Sequence, residues 1–161
     1  MKKSKILFLL LTLLIIMGIG CGVVFYDWSY LTLLKVDRNL PADAIETYET
    51  RLNDGMNMLS EVRAEGDVEK EYNVLHNVAA QYYGLGNLRN AFKYYKLASE
   101  LDSNNFIALK EMSKVMSEAG NYEKSLEYIN KAIEIESSNV NSWISKLTLV
   151  EANNKDNYDL H

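Results

Sequence analysis

The side chains that could do chemistry are scattered along the chain rather than grouped. The two histidines, His76 and His161, lie far apart, and His76 is followed at the next helical turn by Ala80 rather than by a second metal ligand. Gly84-Leu85-Gly86 follows a predicted helix rather than a strand, which indicates a turn and not a nucleotide-binding loop. The many glutamates are typical of solvated helix faces. The sequence therefore predicts no catalytic, cofactor-binding or metal site, and a protein that is not an enzyme.

Cys21 is the single cysteine of the chain, which excludes an internal disulfide and a cysteine-cluster metal site. It ends the stretch Gly18-Ile19-Gly20-Cys21, which resembles the lipidation signal of bacterial lipoproteins but has Gly18 where leucine is favoured. Three interpretations stay open for the N terminus. They are a retained signal-anchor helix, lipidation at Cys21, and an ordinary cleaved signal peptide.

An uncharged run of 21 residues extends from Ile6 to Tyr26. About 20 apolar residues suffice to span a bilayer core. Lys2, Lys3 and Lys5 precede the run, and the positive-inside rule then places the N terminus in the cytoplasm. We expect a signal-anchor or transmembrane helix over residues 1–26 that contacts the lipid bilayer through 6–26, and a juxtamembrane connector over 27–41 that lies near the headgroups or continues the helix.

This single-pass topology puts the C-terminal domain in the periplasm or outside the cell. A cytosolic domain, as in N-anchored organelle import receptors, is the alternative. Gly18 and Gly22 form a G-x-x-x-G pair, a spacing that lets two membrane helices approach closely, so homo-oligomerisation is also open.

Two segments of the chain repeat at a distance of 34 residues, which is the length of one helix–turn–helix unit. A unit of this kind cannot bury its apolar face alone and must stack on neighbours, so the sequence predicts an all-α solenoid. The corresponding pairs are Gly86 and Gly120, Asn87 and Asn121, Tyr94 and Tyr128, Ala98 and Ala132, and Asn105 and Asn139.

The first unit resembles the tetratricopeptide repeat. With Tyr72 as position 1, it matches the family's order of large, small, aromatic and glycine positions at Leu75, Val78, Ala79, Tyr82, Gly86, Ala91, Tyr95 and Ala98. The second unit is more degenerate, because Ser125 replaces an alanine and Ile129 replaces an aromatic residue. Helical hairpins in another register are the structural alternative.

The resemblance implies a tetratricopeptide-like helical domain over residues 42–152, followed by a polar tail at 153–161. Its repeats are expected at about 72–105 and 106–139. A helix over 42–64 would cap the N-terminal end, and a helix over 140–152 would cap the C-terminal end.

The resemblance also implies a concave groove lined by the first helix of each repeat. Such a groove can hold an extended or helical peptide. Glu111 would repel a carboxylate, which argues against a chaperone-tail clamp. The candidate groove residues are Asn73, His76, Asn77, Tyr83, Ile107, Lys110, Lys114, Asn141 and Ile144.

From Asp27 onward the chain is net acidic, which argues against binding to nucleic acid. The resemblance implies a non-catalytic, membrane-anchored scaffold of the bacterial cell envelope that binds a protein or peptide partner at the membrane. The alternative is a structural, self-oligomerising envelope protein or a lipoprotein assembly factor.

Overall fold

The computed structural model describes residues 35–158, with side chains through Lys155. The predicted membrane helix, lipidation at Cys21 and the Gly18–Gly22 pair lie outside these residues. None of the helices within 35–158 combines the length and the apolar character needed to cross a membrane. An irregular segment at 35–41 leads into α1 (Ala42–Glu65), α2 (Val68–Gly84), α3 (Leu88–Leu101), α4 (Phe106–Glu118), α5 (Tyr122–Ile135) and α6 (Val140–Tyr158).

Most residues that recur at a spacing of 34 begin or end a helix. Asn87 and Asn121 each accept a hydrogen bond from the backbone N–H three residues on, which caps α3 and α5. The corresponding asparagines before α4 and α6 also act as N-caps. Gly86 and Gly120 sit in the preceding turns with φ of 72° and 75°, a conformation that glycine adopts without strain. The repeated sequence is therefore largely a repeated set of local stop and start signals.

The helix over 42–64 packs on the first repeat, as predicted. A Cβ atom placed on Gly55 of α1 would lie 2.8 Å from Val78 of α2, and one placed on Gly84 would overlap the ring of Tyr48. The two helices are thus close enough that glycine is required at both crossing points. α1 ends at Gly66, whose left-handed backbone, with φ 73°, caps the helix.

Small side chains at the centre of each repeat let its two helices approach closely. Ala79 of α2 and Ala91 of α3 are fully buried in the first repeat. The equivalent residues of the second repeat are Ser113 and Ser125, whose hydroxyl oxygens lie 2.9 Å apart. Ser125 also donates to the backbone carbonyl of Ser113 at 2.6 Å. The serines fit a buried position because both hydroxyls are hydrogen-bonded.

The last helix is longer than predicted. The sequence indicated an end near Ala152 and a polar tail at 153–161, but α6 continues to Tyr158. No glycine or proline follows Ala152 to stop the helix. Lys155 lies in the last turn, where a positive charge complements the helix dipole.

The outer face of α6 does not suit the predicted capping role. A terminal helix of a solenoid needs a polar outer face. Four large apolar side chains are exposed on this face, Val140, Trp143, Leu147 and Val150, and a fifth, Ile144, lies between it and α4.

The predicted connector differs from expectation in the part that the structure describes. Residues 35–40 do not continue a helix but form an irregular strap, with a positive φ of 47° at Asn39, that docks on the turn between α2 and α3. The backbone N–H of Val36 donates to the carbonyl of Gly86 at 2.9 Å. A side chain on Gly86 would overlap the Val36 carbonyl oxygen. The glycine therefore serves both the turn and the strap.

Candidate functional site

A cavity of about 400 Å³ lies between α4 and α6. It contains four of the predicted groove residues, which come from two helices more than 20 residues apart in sequence. Stacking α6 on the second repeat brings them together. The cavity is lined by Lys110, Glu111, Ser113, Lys114, Ser117, Asn141, Ile144, Ser145, Thr148 and Leu149.

The charged groups of this cavity are two lysines around one carboxylate. Nζ of Lys110 lies 3.7 Å from the carboxylate of Glu111, and Nζ of Lys114 lies 3.8 Å from it. Glu111 keeps only 18% of its side chain exposed. Because the lysines carry one more charge than Glu111 neutralises, the cavity suits carbonyl oxygens and acidic side chains better than basic ones.

His76 packs among aromatic rings beside the first repeat's other side chains. Its ring stacks on Tyr72 with centroids 6.1 Å apart and meets the edge of Tyr95 at 5.2 Å. Burial lowers the pKa of His76; the nearby Glu111 raises it by less, and Lys110 lowers it slightly further. The imidazole is therefore favoured as a neutral, packed ring.

Tyr83 joins the first repeat to this cavity. Two cations lie over the ring of Tyr83, with Nζ of Lys114 4.4 Å and the guanidinium carbon of Arg38 4.7 Å from its centroid. Burial and a hydrogen bond to Glu118 raise the pKa of Tyr83 to about 12. Lys114 thus contacts the ring of Tyr83 and also pairs with the carboxylate of Glu111. It therefore connects Tyr83 of the first repeat with the charged groups of the cavity.

Arg38 of the strap links the ends of α2 and α4. Its Nε donates to the backbone carbonyl of Tyr83 at 3.0 Å, and its guanidinium pairs with Glu118 at 2.7 Å. Both charged side chains are about three-quarters buried, with 26% and 22% exposed. Sequence reasoning missed Arg38 and Glu118 because they are 80 residues apart and no local pattern relates them.

The structure brings five of the nine predicted groove residues together. Lys110, Lys114, Asn141 and Ile144 line the cavity, and Tyr83 contacts Lys114. The other four do not line it: His76 packs against Tyr72 and Tyr95, and the remaining three, Asn73, Asn77 and Ile107, are exposed.

A second cavity of about 580 Å³ lies between the strap, α1 and the end of α2. Leu40, Ile45 and Leu52 form part of its wall. The strap supplies one side of this cavity, so its shape depends on the docking of Val36 and Arg38.

The chemistry available in the groove is that of recognition. Its lysine, amide and hydroxyl groups can hydrogen-bond a peptide, and Ile144 can contact an apolar side chain. Within residues 35–155, no three His, Cys, Asp or Glu side chains come close enough to hold a metal ion.

Residues 72–105 and 112–139 match the family model of the tetratricopeptide repeat. The second match begins six residues after the predicted boundary, in keeping with the weaker pattern of that repeat. No curated protein sequence matches the chain significantly.

Proposed function

The chain carries two tetratricopeptide repeats, and we propose that it is a membrane-anchored, non-catalytic scaffold of the bacterial cell envelope. Repeats of this family generally bind protein or peptide partners. We assign the partner to the groove formed by α2, α4 and α6. The observation that carries this assignment is the cavity where Lys110 and Lys114 face Asn141 and Ile144.

The groove favours a short peptide segment over a large docking partner. Two repeats and one further helix offer few recognition positions, and Arg38 already binds Tyr83 and Glu118 at the ends of α2 and α4. The excess of lysine over glutamate favours an acidic or carbonyl-rich segment. Ile144, which is 55% exposed, offers an apolar contact beside it.

A charge reversal tests the groove. A photo-crosslinking residue at Ser117, which lines the cavity, should capture a partner in native membranes. Lys110→Glu with Lys114→Glu should remove at least nine-tenths of the captured product, because an acidic segment would meet three carboxylates. Helical content measured by circular dichroism should be unchanged.

The matched control reverses two lysines on the second helices of the repeats. Lys93→Glu with Lys131→Glu makes the same charge change at two exposed positions of α3 and α5. Capture should survive in this variant. If both double variants capture the partner equally, the groove assignment is wrong.

The anchor is supported by the uncharged run from Ile6 to Tyr26 and the lysines before it. A cysteine at exposed Asn154, in a Cys21→Ser background, should react with a membrane-impermeant thiol reagent in intact cells if the domain faces outward. Lack of labelling until the cells are lysed would place the domain in the cytosol. Loss of membrane association on Cys21→Ser alone would show that lipidation provides the anchor.

A self-oligomerising envelope protein is the second candidate function. The apolar outer face of α6 favours it.

A further inference from the structure

The outer face of α6 holds the densest set of exposed apolar side chains in the part of the chain that the structure describes. Five of the eleven large apolar residues exposed there lie on this one helix, and the other six are spread over four helices. Leu147 is 64% exposed at the centre of the set, opposite the buried Ser142 and Leu149. Single exposed apolar residues are ordinary, but a continuous patch of several hundred Å² marks an interaction site.

The equivalent face of α2 packs against another helix. Trp143 and Leu147 occupy the places that Leu75 and Ala79 occupy two repeats earlier. In α2 those residues are buried, at 1% and 0% exposure, where α2 packs against α3. The same face of α6 therefore has the geometry of a helix-packing surface, but no described helix covers it.

The size of the central residue indicates that a helix packing on this face of α6 would lie further away than the two helices of a repeat lie from each other. The central position is small in both complete repeats, Ala79 in one and Ser113 in the other, which allows close approach. Leu147 at this position holds an incoming helix further away, at the spacing of large interdigitating side chains. The occupant is thus not expected to be an ordinary second helix of a repeat.

We propose that this face pairs with the same face of a second copy of this chain, as two antiparallel α6 helices. The apolar positions Val140, Trp143, Leu147 and Val150 have the alternating spacing of three and four that forms a helix–helix seam. In the antiparallel arrangement, Val140 lies opposite Val150 of the second copy, and Trp143 lies opposite Leu147 of the second copy. All four layers of the seam are then apolar, and each pairs a residue with its reciprocal, as a two-fold interface requires.

A parallel pairing of the same helices is less favourable. It would place Trp143 against Trp143 across the seam, which crowds two large rings. It would also align the two helix dipoles. The antiparallel arrangement avoids both.

The size of the surface is consistent with a dimer of modest affinity. Two patches of this kind together remove roughly 1,000 Å² from water, near the lower limit for a specific interface. The proposal does not rest on the proposed groove function. Lys110 and Lys114, which would hold a peptide, are on α4 and take no part in the seam.

Disulfide trapping tests both the pairing and its direction. The full chain with Cys21→Ser, Val140→Cys and Val150→Cys is oxidised in native membranes. Antiparallel pairing brings the thiol at position 140 of one copy beside the thiol at position 150 of the other, and a cross-linked dimer is expected. Within one helix the two positions are about 15 Å apart, too far for an internal disulfide, which needs Cα atoms within about 7 Å.

The single-cysteine variants fix the direction. Cys21→Ser with Val140→Cys alone should give no dimer, because the two copies of position 140 are also about 15 Å apart in the antiparallel pair. A dimer from this variant would overturn the antiparallel arrangement. A folded double-cysteine variant that stays monomeric, or that cross-links only to another protein, would overturn self-pairing.

Matched surface changes complete the test. In the double-cysteine background, Leu147→Glu should lower the cross-linked fraction at least tenfold, since it puts two charges into the seam. Val68→Glu makes the same kind of change at a residue of α2 that is 54% exposed, and should leave the fraction unchanged. Equal loss in both variants would count against the seam.

Discussion

Gly86 and Gly120 occupy the same turn of consecutive repeats, yet their surroundings differ. Both have a positive φ, of 72° and 75°. A Cβ on Gly86 would overlap the Val36 carbonyl oxygen of the strap, whereas a Cβ on Gly120 would meet nothing within 4 Å. Both turns therefore need glycine for their backbone conformation, but only Gly86 is also needed to leave room for the strap.

Gly86→Ala and Gly120→Ala should both destabilise the domain, by about 1–2 kcal/mol from the left-handed backbone conformation. Gly86→Ala should cost more, because the strap must also move. Urea unfolding measures the two losses, and limited trypsin digestion at Arg38 reports on the strap. Faster cleavage is expected for Gly86→Ala only. Equal losses and equal cleavage would show that the strap does not depend on Gly86.

His76 makes stability depend on pH in a stated direction. Its pKa is lowered by burial below the ordinary value of about 6.5. The charged form is thus less favourable in the folded state than in the unfolded state. The stability contributed by the neutral ring is fully present above about pH 6.5 and is lost as the pH falls below it.

His76→Phe keeps a ring against Tyr72 and Tyr95 but cannot take up a proton. Urea unfolding at pH 7.5 and pH 5.5 should show a smaller loss of stability for this variant than for the unchanged chain. An NMR titration should place the pKa of His76 below that of an unfolded histidine. A pKa above 6.5 would contradict the packed, neutral assignment.

At the scale of elements, the strap is held by few but specific contacts. Val36 bonds to the turn after α2, and Arg38 bonds to both Tyr83 and Glu118. Hydrogen bonds to charged, partly buried groups contribute about 1.5–3 kcal/mol, more than exposed ion pairs do. Arg38 therefore holds the strap more strongly than the other contacts do. Because the strap forms one wall of the larger cavity, Arg38 also stabilises that wall.

Arg38→Ala should release the strap and lower the free energy of unfolding by about 1–2 kcal/mol. Arg63→Ala is the control, since Arg63 pairs with Glu71 while half exposed, and such surface pairs contribute less than about 1 kcal/mol. Hydrogen exchange at the Val36 amide should accelerate in the first variant only. Protection of Val36 in Arg38→Ala would show that the backbone bond holds the strap alone.

The part of the chain that the structure describes is a stack in which each helix packs mainly on its neighbours in sequence. Stability in such a stack is a sum of local interfaces rather than a property of one central core. The repeats at the middle have neighbours on both sides. By contrast α6 packs mainly on α5, through a small cluster that includes Leu149, Ile129 and Ile133.

Hydrogen exchange should therefore be slowest in α2 and α3 and faster in α6. Leu149→Ala, at a residue only 6% exposed, should remove about 2–4 kcal/mol from the α5–α6 interface. Exchange should accelerate in α6 and leave α2 unchanged. Uniform acceleration along the chain would mean that the domain unfolds as a single unit.

The 34-residue repeat by itself determined the class of fold, the turns at Gly86 and Gly120, and the small residues that Ala79 and Ala91 supply to the core. These features follow from caps, backbone angles and periodicity, which act over a few residues and are legible in the sequence. The tertiary structure alone decided that Arg38 meets Glu118, that Lys110 and Lys114 share a cavity with α6, and that α6 leaves an apolar face uncovered. Those outcomes depend on how successive helices stack, and stacking brings together residues up to 80 positions apart that no local pattern relates.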